Sequence, residues 1–299
     1  MKFGLRYCNT GPYVEAETAI ELAQAAESVG FESLWTVEHT VVPANYKSPY
    51  PYSESGKMAG GKDDFPIPDP LIWMTYVAAA TSKIKLATGI LILPQHNPVV
   101  VAKQVATLDL MSNGRTILGV GVGWLEEEFA ALGIPFVDRG ARTDEYIQAM
   151  RSLWSEKVSS FKGRFVNFDS IYCRPLPKQS HVPIIIGGHS KASARRAGRL
   201  ADGYFPARSA PVDLIREARQ SAEESGRDPD ALEITTGIPE NLDDLEKYAQ
   251  LGVSRVLLPV TSVTGLDSGI SNVDDVIAWK DKIKKDKLKS LKLIKNIDI

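Results

Sequence analysis

Three of the four histidines in this chain follow apolar runs. His39 comes just after "SLWTV" (33–37), His96 lies in "PQHNP", and His189 lies in "IIIGGHS". An imidazole titrates close to neutrality and so suits proton transfer to or from a reacting substrate. His39 ends a run with buried-strand character and opens the longest polar stretch, which makes it the candidate acid or base. His96 reads either as a turn residue or as part of a pocket wall. His189 offers its backbone N–H more than its ring. Glu38 could orient His39, accept a hydrogen bond from a ligand amide, or sit in a rim salt bridge. The stretch "IIIGGHSKASARRAGR" (184–199) suggests different chemistry. Its glycines let the backbone approach a ligand, and the helix opened by the serine presents unpaired N–H groups and a positive dipole end. Gly187, Gly188, His189 and Ser190 are therefore a candidate phosphate nest, and equally the ordinary corner between a strand and a helix. Arg195, Arg196 and Arg199, further along that helix, are expected to face solvent. Glu126, Glu127 and Glu128 read as acidic first-turn residues that favour a helix N-terminus, with a catalytic role as the alternative. Gly89 interrupts "ATGILIL" (87–93) with no packing reason visible in the sequence, as at a bulge or a close backbone approach.

Several chemistries lack their signatures. There is no HxH or HExxH spacing and no GxSxG turn. No lysine falls at the end of an apolar run, which argues against a Schiff-base aldolase. Two cysteines, Cys8 and Cys173, make neither a disulfide framework nor a metal cluster.

The elements that must position these residues are short β-branched runs alternating with helical patterns. The runs are 2–7, 33–37, 84–93, 116–121, 183–188, 203–206, 233–237 and 255–260. Between them, residues 16–29 set Ala16, Ile20, Ala23 and Ala26 on one face before Gly30. Asp69-Pro70 reads as an N-cap with proline at the first helical position. Residues 98–111 align Val101, Val105 and Leu108, residues 140–154 align Tyr146, Ile147, Met150 and Trp154, and Asn241 caps a helix stopped by Gly252. Eight such units predict a (β/α)₈ barrel with loop insertions at its C-terminal face. A doubly wound sheet is the second fold, but its usual glycine-rich first turn is here "CNTGPYVEAE". Residues 39–68 and 122–138 are long loops, and residues 156–182 hold an apparent hairpin, "SSFKGRFVNF"; segments of this length tend to act as lids or binding loops. Barrel active sites lie at the strand C-termini, which puts His39, His96 and His189 on one rim and His181 at the opposite end.

The 299 residues are 43% hydrophobic with a net charge of −2, enough for one large core and without a field for nucleic acid. Residues 1–299 are read as a single barrel domain in which 280–299 form a basic C-terminal helix or tail. No signal-peptide pattern or transmembrane run is present, so the expected location is the cytoplasm and no membrane partner is expected.

Four stretches together resemble the luciferase-like monooxygenase superfamily, most of all its coenzyme F420 (deazaflavin)-dependent oxidoreductases. They are "GFESLWTVEH" (30–39), "ATGILILPQHNPVVVAKQVATLDLMSNGRTILGVGVGW" (87–124), "FVDRGARTDEYIQAMRSLW" (136–154) and "VPIIIGGHSKASARRAGRLADGY" (182–204). The resemblance implies a barrel with an insertion after strand two or three and a cofactor across the C-terminal face. It implies a non-prolyl cis peptide at Gly89–Ile90 supporting the deazaflavin ring, a phosphate site at Gly187, Gly188, His189 and Ser190, and an Asp-His pair matched by Glu38 and His39. The longer glutamate extends that reach. Where the family's sugar-phosphate dehydrogenases carry a glutamate after "GVGxG", this chain has Trp124; that substrate is set aside, and Trp124 is expected to wall the pocket. The implied activity is hydride transfer between F420 and a small organic substrate, with His39 handling the proton. A reduced-flavin monooxygenase using FMN, dioxygen and a separate flavin reductase is the near alternative. A metal-assisted hydrolase using His39, His96 and a carboxylate, and a cofactor carrier without turnover, are more distant ones. The family likeness also implies a homodimer.

Overall fold

The computed structural model describes residues 1–53, 55–58, 63–206, 210–239, 241–260 and 270–281. The first βα unit is β1 (Lys2–Arg6) and α1 (Ala16–Val29), the latter stopped by Gly30 at φ 96°. Glycine adopts that left-handed turn without a Cβ penalty. β2 (Ser33–Thr36) leads through the long loop to α2 (Pro70–Ala78), whose first amides, Leu71 N and Ile72 N, donate to the Asp69 carboxylate. The third barrel strand is split into β3 (Lys85–Thr88) and β4 (Leu91–Ile92), followed by α3 (Pro98–Met111), capped by Asn97. Next come β5 (Thr116–Gly121), α4 (Glu126–Ala131) and α5 (Arg139–Ser155). The segment 122–138 expected as loop thus contains a helical turn and a half. The hairpin expected in 156–182 is β6 (Ser159–Lys162) with β7 (Asn167–Ile171), paired antiparallel. The chain then runs through β8 (Ile184–Gly187), α6 (Lys191–Leu200), β9 (Gly203–Phe205), α7 (Val212–Glu224) and β10 (Glu233–Gly237), and on through α8 (Leu245–Gln250), β11 (Val253–Pro259) and α9 (Val273–Ala278). Residues 282–299, most of the expected basic tail, lie outside the described residues.

All eight barrel strands pair in parallel. The order is β3-β2-β1-β11-β10-β9-β8-β5, and the pairing of β3 with β5 (Leu86 with Thr116, Ala87 with Ile117) closes the ring. The eight-stranded barrel predicted from the alternating runs is therefore the observed fold. Strand residues alternate between two dry layers, as the pleat dictates. One set, including Phe3, Leu5, Leu34, Leu86 and Ile186, packs under the helices. The other set, Trp35, Ala87, Ile117, Ile185, Phe205 and Leu257, fills the middle of the barrel. Beneath that layer, Arg255 (1% exposed) donates to Glu32 at 2.7 and 2.9 Å, to Thr235 at 3.0 Å and to Glu233. This network plugs the N-terminal end with every charge partnered. Cys8 and Cys173 are free thiols, both buried.

Candidate active site at the barrel mouth

Asn9, fully buried just past β1, fixes where the second strand leaves the barrel. Its Nδ2 donates to the carbonyls of Val37 (2.8 Å) and Pro68 (3.0 Å), and its Oδ1 accepts from Val37 N (2.8 Å). The next two residues are therefore held at the rim. His39 Nδ1 lies 2.9 Å from Glu128 Oε2, and Glu128 Oε1 accepts from Thr40 N (2.7 Å) and Val41 N (3.2 Å). Glu128 is completely buried. A carboxylate can only accept, so the contact places the proton on Nδ1 and leaves Nε2 to exchange protons at the mouth. Trp124 and the His39 ring pack in a T-shaped pair at a 5.9 Å centroid distance, and Tyr46 and Tyr50 close around Trp124 at 5.4 and 5.1 Å. Glu127 meanwhile accepts from Lys47 N (2.7 Å) and Ser48 N (3.1 Å). Two of the three acidic residues of α4, read from sequence first as helix-dipole partners, thus tie down the loop that follows His39.

Glu38, 7% exposed, spans the other side of the rim. It accepts from Ile92 N and lies 2.9 Å from His96 Nε2, joining the end of β2 to the end of β4. Burial pulls the His96 pKa down, but the Glu38 carboxylate, with Asp69 and Glu128 beyond it, outweighs burial and raises it above the ordinary histidine value.

Between β3 and β4, the Gly89–Ile90 peptide is cis, at the position the resemblance implied. Gly89 does have a packing reason: a Cβ there would lie 2.9 Å from Cε3 of Trp35. The Ile90 side chain is seated on glycines from two neighbouring strands. A Cβ on Gly121 would come within 2.6 Å of its Cδ1, and one on Gly187 within 2.4 Å of its Cγ2. Both distances are far inside van der Waals contact, so only glycine leaves this seat open.

At the corner between β8 and α6, Gly188 has φ 131°, its N–H donates to Phe205 O (3.1 Å), and its carbonyl accepts from the Tyr204 hydroxyl (2.8 Å). Ser190 and Ser193 form a reciprocal capping box: the Ser190 hydroxyl accepts from Ser193 N at 3.1 Å, and Ser190 N donates to the Ser193 hydroxyl at 3.1 Å. The serine hydroxyl read as a phosphate ligand therefore serves the helix first. The anion-binding capacity left at this corner is that of the first-turn amides and the dipole. Arg196, expected in solvent, is buried instead and pairs with Asp144 of α5, which also holds Arg199 at 2.8 Å.

Gln95, at the end of the split strand beside His96, is 6% exposed and leaves both amide atoms unpartnered. Of the histidines, His39 and His96 meet at this mouth, and His189 stands at the start of α6 on the same face. His181 lies at the other end, 2.8 Å from Asp202, lining a separate cavity of about 330 Å³ with Arg151, Arg199 and Arg227. Among the described residues, no three His, Cys, Asp or Glu side chains converge as metal ligands. Sequence reasoning missed Asn9 and the roles of Gln95 and Glu128. The last two left a trace as rim residues, Gln95 in "PQHNP" and Glu128 as the last acid of "EEE".

A family model described as luciferase-like monooxygenase matches residues 4–259. An uncharacterised protein of Mycobacterium bovis is 31% identical over 80% of this chain and 86% of its own length. An F420-dependent glucose-6-phosphate dehydrogenase of Kineococcus radiotolerans is also 31% identical, over 75% of this chain and 64% of its own. Among solved structures, an F420-dependent secondary alcohol dehydrogenase in complex with an F420-acetone adduct superimposes with a TM-score of 0.72 at 21% identity, covering 94% of this chain and 97% of that one. With the family match spanning most of the barrel, this chain belongs to the luciferase-like monooxygenase family.

Proposed function

We propose that this protein is an F420-dependent oxidoreductase that transfers a hydride between the deazaflavin and a small organic substrate, with His39 as the proton-handling residue. The observation that carries the reading is the His39–Glu128 pair. It presents a tautomer-fixed imidazole at the same mouth as the glycine-seated Ile90. The residues present fit the cofactor. Gly121 and Gly187 make room for the Ile90 side chain against their strands, which leaves the Gly89–Ile90 backbone as the shelf a flat ring would meet. The orphaned amide of Gln95 supplies a donor and an acceptor of the kind a pyrimidine edge requires. The corner of Gly187, Gly188, His189 and Ser190 suits a phosphate through its amides.

Bound there, a deazaflavin would supply the hydride-transfer chemistry, which is the cofactor's own. Glu128 keeps the Nδ1 proton of His39 in place, so Nε2 gives a proton to, or takes one from, the oxygen of the reacting substrate. Glu38 holds the strand beyond Ile90 through Ile92 N and fixes His96 beside it. Trp124, with Tyr46 and Tyr50, walls the substrate pocket and excludes water from His39. Its indole stands where a sugar-phosphate dehydrogenase of the family would place a glutamate, so the substrate class differs from theirs.

The reading carries with it a single-domain cytoplasmic enzyme and a homodimer. Supporting the dimer, α2 and α3 expose apolar side chains that no described element covers, among them Ile72 at 72% and Met111 at 69%. Titrating cofactor-free protein with F420 and with FMN tests the cofactor, the expected result being F420 fluorescence quenching without FMN binding. Tight FMN binding without F420 binding would make the protein a reduced-flavin monooxygenase dependent on a flavin reductase.

A further inference from the structure

Two arginines point into this barrel, and they are treated very differently. Along β1, Phe3 and Leu5 pack under the helices, which turns Gly4 and Arg6 inward. The placement of Gly4 confirms this, since a Cβ there would lie 2.7 Å from Leu257 Cδ2, an atom of the interior layer. Arg6 is two residues nearer the C-terminal mouth, in register with Trp35 on one side and Pro259 on the other. It is 5% exposed. Its Nε is buried without a hydrogen-bond partner, and its guanidinium makes neither a hydrogen bond nor an ion pair with any described residue. The centroid of the Tyr7 ring lies 5.0 Å from its guanidinium carbon. At the opposite end, Arg255 is just as buried but is held by Glu32, Glu233 and Thr235. A guanidinium largely withdrawn from water without an anion is costly, and the cost is recovered when an anion arrives. The carboxylates nearest in function, Glu38 and Glu128, are already engaged by His96 with Ile92 N and by the His39 loop.

We propose that Arg6 is the anion-recognition residue of the mouth and that the substrate is a small organic acid whose carboxylate it takes in a two-pronged hydrogen bond. The planar fork of the guanidinium matches a carboxylate, and its rigid position at the end of β1 orients the bound acid toward His39 and the cofactor shelf. This deepens the oxidoreductase reading and rests on the mouth being its active site.

The test uses cofactor-free protein, so that failure of F420 to bind leaves it readable. Acetate and benzoate are titrated calorimetrically against acetamide and benzamide, with wild type and with Arg6→Gln and Arg6→Met. At least one carboxylate is expected to bind wild type about 10- to 100-fold more tightly than its amide, the range for a charge-assisted pair. Both variants are expected to lose that preference while melting at the same or a higher temperature, because an unpaired buried charge has been removed. Equal binding of acids and amides to wild type, or an undiminished carboxylate preference in Arg6→Gln, would overturn the proposal. A lower melting temperature in both variants would do so too, by giving Arg6 a structural role. A parallel F420 titration separates the two sources of anion. Unchanged F420 affinity in Arg6→Gln supports a substrate carboxylate. Lost F420 affinity with no acid preference in wild type would assign Arg6 to the cofactor and overturn the substrate class.

Discussion

Glu128 Oε2 lies 2.9 Å from His39 Nδ1, while the other oxygen of the same carboxylate holds the two backbone amides that follow His39. One buried side chain thus sets the position of the histidine, its tautomer and the path of the loop beyond it. Each can be tested separately.

In Glu128→Gln the amide can still accept from Thr40 N and Val41 N, but its NH₂ can face Nδ1 and favour the opposite tautomer. Nitrogen-detected NMR of the His39 ring is expected to show Nδ1–H in wild type and a shift toward Nε2–H in the variant. Turnover should fall by about 10²- to 10⁴-fold, as when a triad carboxylate becomes an amide. His39→Gln should lose a similar factor with F420 affinity unchanged. Full turnover in either variant would remove His39 from proton transfer.

The glycine seat under Ile90 makes a stability prediction with its own rescue. Gly187→Ala drives a methyl to within 2.4 Å of Ile90 Cγ2 and should destabilise the barrel by about 1–3 kcal/mol, as overpacking does. Ile90→Ala removes the atom that is struck. The double variant should therefore recover most of the loss attributable to the clash, measured as a coupling energy in urea unfolding. Simple additivity would show that the clash is relieved elsewhere.

At the N-terminal end, burial raises the pKa of Glu32, but the Arg255 guanidinium beside it outweighs this and holds the carboxyl at about 2, below the ordinary 4.5. A folded pKa below the unfolded one gives stability that is complete above pH 4.5 and lost as pH falls toward 2. Arg255→Met leaves Glu32 and Glu233 without their cation and should cost about 3–5 kcal/mol at neutral pH. The gap from wild type should close between pH 4.5 and 2, read by urea unfolding across that range.

His96 has the opposite sign. Its pKa is raised above the ordinary 6.5, with burial opposing and Glu38 prevailing, so its pairing is complete below pH 6.5 and is lost as pH rises through the folded value. Wild type should be more stable than His96→Gln at pH 6, and the difference should shrink toward alkaline pH. A difference constant from pH 6 to 9 would mean that the Glu38–His96 contact is worth the same with the ring neutral.

Much of this molecule is legible along the chain. The eight strands appear as β-branched runs, and the caps Asp69 and Ser190 announce their helices. Gly30 stops α1 where the pattern requires, because caps and periodicities act within a few residues. His39 and His96 were visible as rim residues, since the barrel rule turns a strand ending into a place. Arg196 was misjudged because a helix in isolation does not show which neighbour covers it; α5 supplies Asp144 from 52 residues away.

What the sequence alone determined is the order of elements and the rim on which the histidines would stand. The folded barrel alone settles who meets whom there: Glu128 with His39 across 89 residues, Glu38 with Ile92 across 54, and Arg6 with no anion among the described residues. The physical reason is closure. Local propensity sets each strand and helix, but a side chain's charge state, tautomer and partner depend on neighbours that come together only when β3 pairs with β5 and the ring is complete.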